Sequence, residues 1–190
     1  MQQALLVIDV QESFRRRPYW RGEELPAFVA NVQALIDRCR ARPPGSAIPV
    51  LQVFHQELTH DPSDPFTAES GFVRALPELA LEADAVFRKH VHSALFATTA
   101  DGTTLEAWLR RNGVEEVLIT GIRTEQCCET TARHASDSGF SVRYVTDATL
   151  TFPMTSKSGR TFSTADLRER TELVLDGRFA RVVASADALG

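Results

Sequence analysis

The chain has 190 residues and a mass of 21.0 kDa, the size of one domain, so we expect a single domain over residues 1–190. Hydrophobic residues make up 43% and charged residues 24%, values that argue against disorder and fibrous repeats. With a net charge of -4 and no apolar run near the roughly 18 residues of a membrane helix, we expect neither a nucleic-acid partner nor a membrane contact. Three cysteines without framework spacing exclude a disulfide scaffold and indicate the reducing cytoplasm.

Six short apolar segments have the length and the branched side chains of β-strands. Most of them are continuously apolar rather than alternating, which is typical of strands that are covered on both faces. In chain order the predicted strands are Ala4–Val10, Ile48–Phe54, Ala85–Phe87, Val117–Thr120, Val142–Val145 and Arg181–Val183.

Helical patterns lie between most of these strands. Glu24–Arg40 has apolar residues spaced three and four apart, and three further segments end near a glycine, which is a helix-stop signal. These three are Thr104–Asn112, Thr124–Ser138 and Ala165–Leu175. The alternation predicts an α/β three-layer sandwich, Rossmann-like, with a central, mainly parallel six-stranded sheet and helices on both faces. Gln56–Leu81, rich in Pro, Asp and Ser, is predicted to be a long loop of the kind that often serves function.

Chemically active side chains follow three of the predicted strands. Asp9 ends the first strand, Lys89 follows the third, and a pair of cysteines opens the helix after the fourth. Because ligands of parallel sheets bind beyond the carboxyl ends of the strands, we expect these groups to meet at one edge. Asp9 could instead be a turn or cap residue, and Lys89 a solvated one. Against the second alternative, the chain has 19 Arg and only two Lys, Lys89 and Lys157, so a lysine at a strand end is notable.

The two adjacent cysteines are predicted to differ. A thiol near a helix N-terminus is expected to have a lowered pKa, and the amides there can stabilise an oxyanion. Cys128 lies four residues before Ala132 and seven before Ala135, on the predicted packed face of the helix. Cys127 is rotated by about 100° from it, towards the strand ends. We therefore predict that Cys127 is the nucleophile and that Cys128 is buried and inert.

Three segments resemble, in order, the signature blocks of the isochorismatase-like cysteine hydrolases. They are ALLVIDVQESF, FRKHVHSALFATT and ITGIRTEQCCETTARHASDSGFSVRYVTDA, and the resemblance covers most of residues 4–187. This superfamily contains nicotinamidases, N-carbamoylsarcosine amidases and related hydrolases of small amides. The resemblance implies that Asp9 is the base, Lys89 its charge partner and Cys127 the nucleophile. It also implies a homodimer or a higher homo-oligomer.

The third block carries two further implications of the resemblance. A cis peptide bond is expected between Ile122 and Arg123, and the backbone amides of Arg123 and Cys127 would form the oxyanion hole. The side chains of Arg123 and Glu125 could face the site or be exposed at the start of the helix.

The chain also departs from the family pattern. The Asp-x-His of metal-dependent nicotinamidases lacks its Asp here, since the second strand ends in Gln-Val-Phe-His55. His55, His60 and Asp61 could still bind a metal, but fewer than three well-spaced ligands are visible, so we expect no metal and no other cofactor. His55 is then expected to line the substrate pocket. His92 stands where the family often has an aromatic residue, which leaves the substrate open.

The aromatic residues after the first strand have two possible roles. Phe14, Tyr19 and Trp20 could form the wall of a substrate pocket, or they could anchor a loop. We predict that Phe14 and Trp20 bind substrate together with His55 and His92.

The leading hypothesis is a cysteine hydrolase that cleaves the C–N bond of a small amide or carbamoyl compound through a thioester. One alternative is hydrolysis of an enol ether, as in isochorismatase itself, although enzymes of that type lack the nucleophilic cysteine. Another is a non-enzymatic binding domain, or a redox sensor that uses Cys127 and Cys128. A disulfide between neighbouring cysteines is strained, which argues against the sensor.

Overall fold

The computed structural model describes residues 1–43 and 45–189, and its centre is a six-stranded sheet. The sheet strands are β1 (Gln2–Ile8), β2 (Val50–His55), β3 (Ala85–Lys89), β4 (Val114–Ile122), β5 (Ser141–Leu150) and β8 (Arg181–Val183). Their order across the sheet is β3–β2–β1–β4–β5–β8, and every neighbouring pair is parallel. The predicted parallel α/β sheet is confirmed, and β4 and β5 are longer than the sequence indicates.

Within the described residues, four α-helices connect the strands. They are α1 (Leu25–Arg40), α2 (Leu105–Arg111), α3 (Glu129–Asp137) and α4 (Thr164–Leu175). The predicted helix after β4 begins differently, because a π-helical turn over Thr124–Cys128 precedes α3. A short antiparallel hairpin, β6 (Met154–Thr155) with β7 (Thr161–Phe162), was not predicted. None of the helices within 1–43 and 45–189 is long and apolar enough to cross a bilayer.

The two faces of the sheet carry separate hydrophobic cores, because successive side chains of a strand point to opposite sides. Leu5 of β1 packs with α1 on one face, while the next residue, Leu6, packs with α2, α3 and α4 on the other. The loop after β2 contributes Phe66 and Leu76 to the α1 side. The predicted three-layer sandwich is therefore confirmed, and the long loop is packed rather than free.

From β1 the chain adds β2 and β3 towards one edge of the sheet, and it then crosses back to β4 on the other side of β1 and continues towards the opposite edge. In an open parallel sheet, such a switch of direction opens a crevice beyond the carboxyl ends of the two central strands. Gly121 lets these strands approach closely at that point: a Cβ atom there would lie 2.0 Å from the carbonyl oxygen of Ile8, its partner in register. Its φ of 133° is also one that other residues rarely adopt.

Candidate active site

Asp9 lies directly after β1, at the mouth of the crevice. Its φ of 55° is in the left-handed region, which Asp tolerates better than most residues. Its amide donates to the carbonyl of Val53 on β2 at 2.8 Å, so the turn is tied to the neighbouring strand. The side chain is fully buried; its Oδ2 pairs with the ammonium of Lys89, and its Oδ1 accepts no hydrogen bond from any described residue. A buried carboxylate with free lone pairs is well suited to accept a proton.

Lys89, the last residue of β3, reaches across β2 to this carboxylate. Its Nζ lies 2.7 Å from Asp9 Oδ2 and donates to Cys127 Sγ at 3.3 Å, and its side chain has no exposed surface. Burial lowers the pKa of Lys89, but the negative charge of Asp9 and the contacts with Asp9 and Cys127 outweigh burial and raise it above its usual value. The amine is therefore a permanent cation between the other two groups.

Cys127 sits on the π-helical turn between β4 and α3. Such turns bring one extra residue into a helix and occur frequently at functional sites. The carbonyl of Arg123 accepts from the amides of Gln126 and Cys128 at 3.2 and 3.3 Å, which shapes the turn. Cys127 is 7% exposed, and its sulfur faces a cavity that Asp9 also lines. The structure thus brings Asp9, Lys89 and Cys127 together, as the positions at the strand ends predict.

The predicted low pKa of Cys127 is wrong. Burial raises the pKa of the thiol, and the negative charge of Asp9 raises it further; Lys89 offsets this only in part, and the pKa is about 12. A thiol with a raised pKa stays protonated at neutral pH. The resting site therefore holds a neutral thiol, and the proton must leave when the sulfur attacks.

Cys128 occupies the other side of the helix. It is fully buried with Ala132 and Ala135 in the core between the sheet and α3, and complete burial raises its pKa well above the ordinary value. The prediction that Cys128 packs in the core is confirmed, and its lack of reactivity stays a prediction. Because Cys128 has no access to solvent or to the cavity, the geometry also disfavours a redox sensor built on the adjacent pair.

The peptide bond between Ile122 and Arg123 is cis. The Arg123 guanidinium pairs with Glu125, Nη2 to Oε1 at 3.0 Å, with 8% of each side chain exposed. It also lies over the ring of Tyr19, 5.0 Å from the centroid. Arg123 and Glu125 are thus a buried ion pair behind the site wall rather than exposed residues at a helix start.

A cavity of about 150 Å³ opens above Cys127. Of the four predicted substrate-binding residues, Phe14, His55 and His92 line it. Trp20 does not: its ring packs on Phe152 at 5.1 Å, outside the cavity, while its neighbour Tyr19 faces the cavity instead. The structure therefore places Tyr19 rather than Trp20 on the cavity wall, because the path of the loop after β1, which no periodicity fixes, decides which ring points inward.

The candidate metal ligands are dispersed. His60 is exposed and pairs with Glu69, while Asp61 accepts hydrogen bonds from Ser63. Only His55 reaches the cavity. Within 1–43 and 45–189, no three His, Cys, Asp or Glu side chains are grouped as a metal site would need.

Sequence reasoning missed several residues of the site. Arg17, Glu57, Phe66 and Gln126 line the cavity. Gln11 forms two hydrogen bonds with the backbone of His55 at the end of β2. A signal for Glu57 was present, since residues two apart in an extended segment share a side, and Glu57 follows His55 by two.

A buried cysteine, lysine and aspartate at the carboxyl edge of a parallel sheet define a class of cysteine hydrolases, and comparison with known proteins gives the same class. The Isochorismatase domain family model matches residues 3–183. Nicotinamidase 3 of Arabidopsis thaliana is 31% identical over 163 residues, which cover 78% of this chain and 73% of that protein. The chain belongs to the isochorismatase family and is a hydrolase.

Solved structures share the fold over nearly the whole chain. An isochorismatase-family protein from Chromobacterium violaceum superposes with a TM-score of 0.83 at 29% identity, covering 99% of this chain and 92% of that one. An isochorismatase from Pseudomonas putida superposes with a TM-score of 0.77 at 26% identity, covering 97% and 89%. The fold is thus that of the family.

Proposed function

We propose that this hydrolase cleaves the C–N bond of a small amide or carbamoyl compound, with Cys127 as the nucleophile. The observation that carries the proposal is the contact of one buried ammonium, Lys89 Nζ, with both the Cys127 sulfur at 3.3 Å and the Asp9 carboxylate at 2.7 Å. A carboxylate that can take the thiol proton and a cation that balances the developing charge are the two groups that activate a neutral thiol.

The first half of the reaction forms a thioester. Asp9 takes the proton of the Cys127 thiol while the sulfur attacks the substrate carbonyl carbon. The carbonyl oxygen becomes an oxyanion, for which we assign the backbone amides of Arg123 and Cys127 as donors. The C–N bond then breaks, and the nitrogen takes the proton from Asp9 and leaves as ammonia or an amine.

The second half restores the enzyme. Water enters the place that the amine has left, Asp9 takes one of its protons, and the hydroxide attacks the thioester carbon. The C–S bond breaks, the acid is released, and the sulfur regains its proton from Asp9. Lys89 stays protonated throughout, which its raised pKa supports.

The cavity restricts the substrate. At about 150 Å³ it has room for a small molecule and not for a peptide segment. Its wall combines the rings of Phe14, Tyr19 and Phe66 with the polar groups of Arg17 and Gln126. This mixture favours a compact, partly unsaturated amide with at least one polar substituent.

Hydrolysis of an enol ether is the alternative within the family. The buried ammonium beside a thiol favours the amide reaction, since protonation of an enol ether needs no nucleophilic sulfur. A non-enzymatic role is disfavoured by family membership.

The test is a screen for released ammonia over small amides, ureas and carbamoyl compounds, with the Cys127→Ala protein as the blank. We expect turnover of at least one compound class that the blank lacks, and a covalent acyl adduct on Cys127 detectable by mass spectrometry after rapid acid quench. Turnover by the Cys127→Ala protein at the wild-type rate would contradict the proposal.

Three expectations stay predictions. Activity should survive extended dialysis against a strong chelator, and a loss restored by zinc, manganese or iron would contradict the metal-free reaction.

Sedimentation velocity should show a homodimer or a larger homo-oligomer. Location in the cytoplasm is testable by fractionation.

A further inference from the structure

Lys89 has a third partner besides Asp9 and Cys127. The Nδ1 atom of His55, at the end of β2, lies 3.3 Å from Lys89 Nζ. An ammonium carries three protons, and the three neighbouring atoms provide one acceptor for each of them. In a side chain without exposed surface, an unused proton would be costly, since water cannot take it.

The partners of His55 determine its tautomer. Lys89 can only donate, so Nδ1 must be the acceptor and Nε2 must carry the ring proton. Nε2 lies 3.0 Å from Glu57 Oε1, an acceptor placed to receive that proton. A doubly protonated ring would instead direct an N–H at the ammonium, so the contact requires a neutral imidazole.

Gln11 holds His55 in place from the other side. The His55 amide donates to Gln11 Oε1 at 2.9 Å, and Gln11 Nε2 donates to the His55 carbonyl at 2.9 Å. Gln11 is fully buried and follows Asp9 by two residues. The turn that presents the carboxylate therefore also fixes the backbone of His55.

We propose that His55 is a positioning residue: its neutral ring, oriented by Glu57 and held by Gln11, accepts the third proton of Lys89 and keeps the ammonium between Asp9 and Cys127. The inference rests on the proposed function. As a positioning residue, His55 does more than line the cavity, a role in which only the size of its ring would matter. The positioning role also differs from that of a metal ligand.

Nitrogen NMR of the lysine side chains tests the contact directly. The chain has only two lysines, and Lys157 is exposed, so ¹⁵N-lysine labelling gives a spectrum that Lys157→Arg assigns completely. We expect a slowly exchanging ammonium signal from Lys89 that His55→Leu broadens or removes. The proposal is overturned if the wild type lacks this signal, or if His55→Leu leaves its exchange rate unchanged.

Two polar variants distinguish a role of His55 as a hydrogen-bond acceptor from a role that needs only the size of its ring. The oxygen of Asn can stand where Nδ1 stands, whereas the amide of Gln extends to the place of Nε2. His55→Asn should therefore keep the Lys89 signal and most of kcat, while His55→Gln and His55→Leu lose about tenfold or more in kcat. Equal loss in the Asn and Gln variants, with both proteins folded, would contradict the positioning role.

His60→Asn provides the matched control, because His60 forms a similar pair with Glu69 on the exposed surface. It should leave both the NMR signal and kcat unchanged. The two proposals fail separately. If no amide is hydrolysed but the Lys89 signal still depends on an acceptor at position 55, the proposed reaction is wrong and the positioning role stands.

Discussion

Two buried carboxylates of this chain lie among basic side chains, and their surroundings differ. Glu129, at the start of α3, is 6% exposed, and both of its oxygens are bonded: Oε1 to Arg133 at 3.0 Å, Oε2 to Arg170 and to Thr171. Asp9 is fully buried, and among the described residues only the Lys89 ammonium pairs with it, at Oδ2, while Oδ1 accepts no hydrogen bond.

Both carboxylates are buried, so their hydrogen-bond partners decide which one is structural and which one is reactive. The partners of Glu129 occupy its lone pairs and join α3 to α4. The carboxylate therefore has no free lone pair with which to accept a proton. The free lone pairs of Asp9 face the Cys127 thiol, whose pKa the Asp9 charge raises. A buried carboxylate that keeps free lone pairs beside a nucleophile is suited to act as a base in catalysis.

Among substitutions of the two carboxylates and their partners, Asp9→Asn is expected to have the largest effect. The change removes the proton acceptor, so kcat should fall by about 10³-fold or more. It also removes a negative charge that raises the pKa of Cys127, so alkylation of Cys127 by iodoacetamide at pH 8 should become faster. Opposite movements of turnover and alkylation, followed by kinetics and mass spectrometry, mark Asp9 as the base. Slower alkylation, or near-normal kcat, would contradict this.

Lys89→Arg should lower kcat by about 10²-fold while the protein stays folded. The planar guanidinium is larger than an ammonium and cannot serve three acceptors at 2.7, 3.3 and 3.3 Å in a site without exposed surface. Steady-state kinetics with circular dichroism checks the change. Lys157→Arg, an exposed substitution of the same kind, is the control and should leave kcat unchanged.

Glu129→Gln should act on stability instead. Loss of the charge weakens two ion pairs, and because Arg133 and Arg170 are 34% and 54% exposed, they can regain water. The free energy of unfolding should fall by about 1–2 kcal/mol, with kcat within about twofold of the wild type. Urea unfolding and kinetics measure both. A large loss of kcat without loss of stability would remove the distinction between the two carboxylates.

The smallest expected effect is that of Cys128→Ala. Removal of one buried sulfur from a packed core should cost about 1 kcal/mol and leave most of the activity. Cys127→Ala should abolish hydrolysis at similar stability. Alkylation mapped by mass spectrometry decides the matter: label on Cys128 with Cys127 untouched and dispensable would reverse the assignment.

The sheet, its parallel connections and the edge at which the site lies could all be predicted from the order of residues. Continuous apolar strands that alternate with helices have few ways to bury both faces, and strand ends in such a sheet meet at one edge. Asp9, Lys89 and Cys127 could be placed together for that reason. The packing of Cys128 followed from helical spacing to Ala132 and Ala135, which is a local property.

The electrostatics and the walls of the site could not be predicted, because they depend on how distant segments of the chain pack together. The sign of the Cys127 pKa shift depends on how many groups surround the sulfur and how much water reaches it, which no spacing reveals. The inward turn of Tyr19 in place of Trp20 depends on the irregular path of a loop. The contact of His55 with Lys89 joins residues 34 positions apart on neighbouring strands, and it exists because the register of β2 against β3 sets His55 beside Lys89.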